Sequence, residues 1–194
     1  CFREFDNDTD TLFDCIGNVT TIRLVDLNLE TLSEVPMFSQ VKHLEWKRCK
    51  FQELPAEKLS LFKELRVLRI TKSKDLNGFE QKFGSLTHLE VVDLSENRLS
   101  FLTCCSPKFP RSPNLKHLNL SFNSDISLTG EFANLRNLLY LDLQHTKLIH
   151  HGTYPVFLLL QKLIYLDISY TKTHVMSHLI FHGLNSLQVL KMAG

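Results

Sequence analysis

Histidine and cysteine are the residues of this 194-residue chain best suited to chemistry, and there are nine of one and five of the other. Six histidines fall between His145 and His182. A zinc site would need ligands at short, regular spacing, and a titrating cluster would suit an acid-pH switch. His150 and His151 are merely adjacent, and neither HExxH nor paired CxxC occurs. There is also no serine nucleophile elbow and no phosphate loop. The chain is therefore not read as an enzyme, and no metal or cofactor is expected. Cys1 and Cys15 flank an acidic, irregular stretch, FREFDNDTDTLFD. They are read as a disulfide closing that loop, worth roughly 3 kcal/mol if unstrained. Cys104 and Cys105 are neighbours: they close a vicinal disulfide or stand as two thiols. Three sequons, at Asn7, Asn18 and Asn119, could carry glycans. Together with the cysteine pair they favour an extracellular setting.

The elements that must position these residues show in a spacing that is neither helical nor purely alternating. The pattern LxxLxLxxN, with any aliphatic at L, starts at positions 19, 41, 65, 89, 115, 138, 163 and 187. A second column stands six residues before each start from the second onward: Val35, Leu59, Phe83, Phe109, Phe132, Phe157 and Phe181. A third, three before the start, runs Phe38, Phe62, Leu86, Leu135, Leu160 and Leu184, broken by Ser112. Columns with a period near two dozen residues predict a leucine-rich repeat solenoid. Each repeat supplies one short strand to a parallel concave sheet, then returns along an irregular or short-helical convex side. The fold class is α/β, a horseshoe. No repeat can bury its apolar face alone, so the stack is the core. The asparagine slot should satisfy backbone groups where the chain leaves the strand. Cys49 occupies that slot and should be a buried thiol; Ser73, Thr146 and Thr171 keep a hydroxyl there. Residues 1–18 read as an irregular leading segment with a probable partial repeat, and 19–194 as about eight repeats, the last truncated.

Net charge is +1, which gives no reason to expect nucleic acid as a partner. No apolar run is long enough to span a bilayer and no signal peptide is present. The pattern breaking off at Gly194 reads as a segment of a longer solenoid. Function should then lie on the surfaces the repeat leaves free. Strand positions of the second and third repeats are basic: Lys42, Lys47, Arg48, Arg66, Arg69 and Lys72, against Glu45. The fourth is acidic, with Glu90, Asp93 and Glu96. Opposite patches side by side would orient a protein partner. Farther on, the face turns aromatic, with Phe122, Tyr140, Tyr165 and Tyr170, the kind of side chains that anchor interfaces. Asn119, between two inward leucines, points out of the strand, so a glycan there would obstruct the concave face. The long segments after Asn97 and after Thr146 are further places for binding residues.

Five phrases narrow the class: LSFLTCC (99–105), LNLSFN (118–123), LDLQHTKL (141–148), LIYLDISYTKT (163–173) and LQVLKMAG (187–194). They resemble the lipopolysaccharide-sensing branch of the Toll-like receptors, from about Asn18 to Gly194 and most closely after Leu89. The resemblance implies the extracellular part of a type I receptor of the cell membrane or of endosomes, with the membrane reached only through a segment outside this chain. It implies a co-receptor, myeloid differentiation factor 2, that holds lipopolysaccharide and docks on the concave face through Lys42, Lys47, Arg48, Arg66, Arg69, Lys72, Glu90 and Asp93. It also implies a ligand-induced homodimer. By position, Lys50 and Lys74 match lysines that contact lipid phosphates. Tyr154 and Leu158 match an apolar pair at the acyl-chain and dimer contact, where the family has phenylalanine at the first. Gly130, Glu131 and His150 match polar dimer positions, and Leu102 stands where a lysine is usual. Two other readings fit the repeats: a non-signalling regulator of the same family, and a matrix or adhesion protein.

Overall fold

The computed structural model describes residues 19–26, 39–50, 62–73, 86–99, 112–124, 126–128, 132, 134–148, 155–172 and 178–194. Cys1, Cys15, Asn7, Asn18, Lys74, Cys104, Cys105, Gly130, Glu131, His150 and Tyr154 lie outside the described residues.

Every LxLxx stretch becomes a strand, and two short strands outside that pattern join them. In chain order these are β1 (Thr21–Val25), β2 (His43–Lys47), β3 (Val67–Thr71), β4 (Val91–Asp93), β5 (His117–Asn119), β6 (Ser127–Leu128), β7 (Tyr140–Asp142), β8 (Lys147–Leu148), β9 (Tyr165–Asp167) and β10 (Val189–Lys191). Eight of them form one parallel sheet in the order β1-β2-β3-β4-β5-β7-β9-β10, and β6 pairs with β8 on the flank. The register has no slip: Ile22, Leu44, Leu68, Val92, Leu118, Leu141, Leu166 and Leu190 lie side by side across the sheet. A slip of one residue would turn every leucine outward, so the apolar column itself enforces the alignment. The described helix is a single 3₁₀ turn, His178–Phe181. Among the described residues no helix is long and apolar enough to cross a membrane.

The core is the set of predicted columns. Leu44, Leu68, Leu118, Leu141 and Leu166 are inaccessible or nearly so, as are Leu65, Leu89, Leu138 and Leu163 at the repeat starts. Phe132 and Phe157, both fully buried, meet with ring centroids 5.8 Å apart and form the described part of the convex spine. Phe181, next in the column, is partly buried against the core. In β10 the same columns are open: Leu190 and Met192 are exposed.

The asparagine slot does more than terminate a strand. Asn97 donates from Nδ2 to the carbonyls of Ile70 and Leu94, both at 2.7 Å, and its Oδ1 accepts the Ser73 amide at 2.7 Å. Asn123 donates to the carbonyls of Leu94 (2.9 Å) and Leu120 (2.8 Å) and accepts from the Leu99 amide at 3.2 Å. Each amide therefore ties its own coil to the preceding one. The hydroxyls act locally: Thr146 Oγ1 donates to Leu143 O at 2.7 Å and Thr171 Oγ1 to Ile168 O at 2.8 Å. Ser73 does both, donating to Thr71 O and accepting the Cys49 amide at 3.1 Å. Cys49, a buried thiol as expected, has its Sγ 3.8 Å from Leu24 O.

Removing a buried amide of this kind leaves carbonyls and an N–H without partners, at about 1–3 kcal/mol for each unsatisfied group. Asn123→Ala should accordingly lower the unfolding free energy by about 3 kcal/mol in urea titrations. Asn123→Thr, which retains the bond to its own coil, should cost about half as much. Equal costs would mean that the tie between coils contributes nothing.

Candidate docking face and its flank

Side chains leave the concave sheet in columns, because strands in register place equivalent positions side by side about 4.8 Å apart. One column, between the two inward residues of each strand, runs Arg23, Glu45, Arg69, Asp93, Asn119, Asp142, Asp167 and Lys191. In its second half the side chain bends back on its own backbone. Asp93, Asn119, Asp142 and Asp167 each accept, through Oδ1, the amide two residues on, at 2.9–3.0 Å. These closures shape the turn that follows the strand. Asn119 is half-buried and held in this way, and it faces out of the sheet as expected, with Leu118 and Leu120 buried on either side.

Many of the predicted docking charges are already engaged between repeats. Arg48 makes a bidentate pair with Asp26, both contacts at 2.6 Å. Glu90 accepts from Arg66 at 2.7 Å and from Lys116 at 2.9 Å. Lys72 lies 3.2 Å from Glu96, and Arg23 pairs with Glu45 at 2.9 Å. The Arg48 guanidinium holds the Asp26 carboxyl below the usual carboxylate range, and Lys116, then Arg66, do the same for Glu90. Exposed pairs of this kind add little stability; they do fix side-chain positions. Lys42, Lys47 and Arg69 make no ion pair with a described residue. Asp93 likewise has no cation within ion-pair distance among the described residues. The expectation of a basic patch beside an acidic one thus becomes a half-neutralised lattice with three uncommitted cations in its front half.

The aromatic half is ordered by stacking. His117, Tyr140 and Tyr165 lie in one column, with centroids 5.8 Å and then 4.3 Å apart. Tyr165 donates its hydroxyl to Asp167 at 3.2 Å, and Lys191 lies 5.3 Å from the Tyr165 ring. Burial raises both the Tyr140 and the Tyr165 hydroxyl pKa, so both phenols stay protonated. A second stack lies at the end of the strands, Phe122–His145–Tyr170, with centroids 4.7 and 4.8 Å apart.

That second stack belongs to a column that sequence reasoning did not single out. The residue before each asparagine slot has positive φ: Asp26, Arg48, Lys72, Glu96, Phe122, His145 and Tyr170, all between 54° and 59°. This is the left-handed region, costly for bulky L-residues. No glycine marks it, which is why the pattern passed unnoticed; a search of the slot before each asparagine would have found it. The turn recurs whether the slot side chain bonds to the coil before it, as Asn97 and Asn123 do, or to its own coil, as Thr146 does. Of the lipid and dimer positions, Lys50 is exposed just beyond β2, and Leu158 is exposed on the convex side. Gly183 backs Leu158: at φ 96° a Cβ there would lie 2.4 Å from the Leu158 carbonyl oxygen. Among the described residues, no three histidines, cysteines or carboxylates gather into a metal-sized cluster.

A parallel sheet on stacked coils, presenting fixed charge and ring columns, defines a leucine-rich repeat scaffold. No family model matches the chain. It is 43% identical over 187 residues to Toll-like receptor 4 of horse (Equus caballus), covering 96% of this chain and 22% of that protein. To the cat (Felis catus) protein of the same name it is 43% identical over 193 residues, covering 100% and 23%. In the solved mouse RP105/MD-1 complex a chain superposes with TM-score 0.75 and 28% identity, over 90% of this chain and 30% of that one. The chain is similar to Toll-like receptor 4 over nearly its whole length. It spans little more than a fifth of the length of these curated relatives.

Burial, and then the charges of Asp167 and Asp93, raise the pKa of the Asp142 carboxyl. The unfolded chain ionises it at lower pH than the folded chain does. In that window the folded state holds the extra proton, so stability falls as pH rises through it. Asp142→Asn keeps the acceptor for the Gln144 amide, as Asn119 does for Ser121. The variant should melt above the wild type at neutral pH, with the difference closing under acid conditions. A difference independent of pH would show that ionisation is not the cause.

Proposed function

We propose that this chain is part of the extracellular region of an innate immune pattern-recognition receptor on the cell surface, which senses bacterial lipopolysaccharide through the co-receptor myeloid differentiation factor 2. The observation that carries the reading is the 43% identity to Toll-like receptor 4 maintained over nearly the whole chain. The likeness to a chain of the RP105/MD-1 complex supports a co-receptor of that type as the partner class. In this reading the co-receptor docks on the charged front half of the concave face. Lys50 and Lys74 meet the phosphates of the lipid, and a lysine suits that role as a mobile point charge. Tyr154 and Leu158 form the apolar dimer contact, bordered by Gly130, Glu131 and His150, and two loaded units pair around the lipid.

The uncommitted cations sharpen the docking proposal. Lys42, Lys47 and Arg69 are available to a partner's carboxylates, whereas Arg48, Arg66 and Lys72 must first release their own. Reversing Lys42, Lys47 and Arg69 together to glutamate should weaken co-receptor binding to the complete ectodomain by on the order of tenfold or more, mainly through a slower on-rate at low salt. Arg48→Gln and Lys72→Gln should change it little. Equal losses from both sets in surface plasmon resonance would remove the distinction.

Pairing is tested by the mass in solution of the complete ectodomain with co-receptor, with and without lipopolysaccharide. The wild type should form a one-to-one complex that doubles with lipid. Tyr154→Ala with Leu158→Ala should bind co-receptor as before and fail to double. Absence of any complex with the co-receptor would overturn the functional reading.

A further inference from the structure

Asn119 ends β5, in the middle of the concave sheet, and heads the sequon Asn119-Leu120-Ser121. Its Oδ1 accepts the Ser121 amide at 3.0 Å, while its Nδ2 makes no hydrogen bond to a described residue. That nitrogen is the atom an N-linked sugar takes. Other asparagines of the coils have theirs engaged. Asn97 and Asn123 donate to carbonyls in the core, Asn114 to Thr87 O at 3.0 Å and Asn137 to Pro113 O at 2.7 Å. The sequon thus falls on an asparagine that can give up its nitrogen and keep its structural bond. On either side in the same column, Asp93 and Asp142 are folded back on Ser95 and Gln144. Short side chains held down on their strands put no bulk beside Asn119.

The sheet surface that follows Asn119 is apolar. Leu139 and Ile164 are neighbours one strand apart, the Ile164 amide donating to the Leu139 carbonyl at 2.8 Å, and Ile164 is 37% exposed. Beside them Tyr140 and Tyr165 stack, and Val189, in register with Tyr165, is 40% exposed. The ion-pair lattice of the front half does not continue. Among the described residues, only Lys191 and Asp167, at 4.0 Å, pair across this part of the sheet. Contiguous exposed apolar side chains mark a surface that another group covers. An oligosaccharide, bulky and solubilising, is such a group. Its pyranose C–H groups can lie on the apolar side chains while its hydroxyls stay in water.

We propose that Asn119 carries an N-linked oligosaccharide that lies over Leu139, Ile164, Tyr140 and Tyr165 and so confines a docking protein to β1–β4. The donor is an oligosaccharide on a polyprenyl diphosphate lipid. C1 of its first sugar bonds to Nδ2, the C1–O bond to the diphosphate breaks, and one Nδ2 proton leaves with the released lipid diphosphate. The amide oxygen is untouched, so the turn to Ser121 survives. Ser121, whose hydroxyl completes the sequon, is buried in the folded coil, so transfer precedes the docking of β5. Adjacent strands lie about 4.8 Å apart, so the first few sugars rooted on β5 reach β7 and β9. Toward β4 they would meet Glu90, bridged by Arg66 and Lys116, and no apolar surface. The proposal rests on the reading of the chain as extracellular, and it places the glycan apart from Lys42, Lys47 and Arg69.

The test uses the complete ectodomain secreted from vertebrate cells. Glycans are released enzymatically in heavy-oxygen water, which turns each occupied asparagine into a labelled aspartate, and the peptides are mapped by mass. Asn119 should carry the label in most molecules. Two variants remove this glycan alone. Asn119→Asp keeps the acceptor for the Ser121 amide, as Asp93 does for Ser95, and Ser121→Ala keeps the asparagine without adding charge. Both should melt within a few degrees of the wild type and bind the apolar dye anilinonaphthalene sulfonate several-fold more strongly, because the rings and Ile164 are uncovered. Both should dock the co-receptor with undiminished affinity. Reversal of Lys42, Lys47 and Arg69 should weaken docking and leave the Asn119 label in place, so failure of the co-receptor reading and failure of this one are read separately. An unlabelled Asn119 in most molecules, dye binding unchanged in both variants, or a tenfold loss of co-receptor affinity in both would overturn the proposal.

Discussion

The tie between one coil and the next at the asparagine slot is the constraint on which the rest of this solenoid depends. The leucine columns exclude a one-residue slip, but apolar contact is non-directional and does not fix how each coil's backbone meets the next. Asn97 and Asn123 supply direction. Each donates to a carbonyl of the preceding coil and to one of its own, so the two coils cannot slide without leaving buried polar groups unpaired. These ties reinforce, in the middle of the sheet, the register that the leucine columns set, and with it the columns of exposed side chains.

The backbone beside the slot is equally regular. The residue before it takes the left-handed region in repeat after repeat, without glycine and whatever the slot residue is. The side chains at that position are swung out to the end of the strands, where they meet their equivalents: Asp26 with Arg48, Lys72 with Glu96, Phe122 with His145 and Tyr170. A requirement of the core thus generates an ordered surface. Rigidity matters for recognition because side chains held by their neighbours lose less freedom when a partner arrives.

The charge reading changes most between sequence and fold. Counting residues gives six basic positions in repeats two and three. Geometry divides them into those already bound to an acid of the adjacent repeat and those left over. Arg66 and Glu90 are 24 positions apart in the chain and 2.7 Å apart in space. That proximity was implicit in the repeat period, yet which acid each base selects depends on reach and rotamer. Arg69 illustrates this: it lies between Glu45 and Asp93 in its column, while Glu45 pairs with Arg23 and the Asp93 carboxylate is turned back to its own Ser95 amide.

The repeat pattern alone determined the architecture: eight parallel strands, inward leucines, a phenylalanine spine seen at Phe132 and Phe157, and the buried thiol of Cys49. It could do so because a solenoid is nearly one-dimensional, with each coil contacting only its neighbours, so period and column carry most of the information. The exposed residues were legible as positions and not as partnerships. Only the tertiary structure decided that Asn119 is folded back on Ser121, that Tyr140 and Tyr165 stack, and that Lys42, Lys47 and Arg69 stand apart from the ion pairs around them. The physical reason is that burial of an apolar column is fixed by residue type, whereas the pairing of surface groups is settled by distances of a few ångströms that the coil-to-coil register sets.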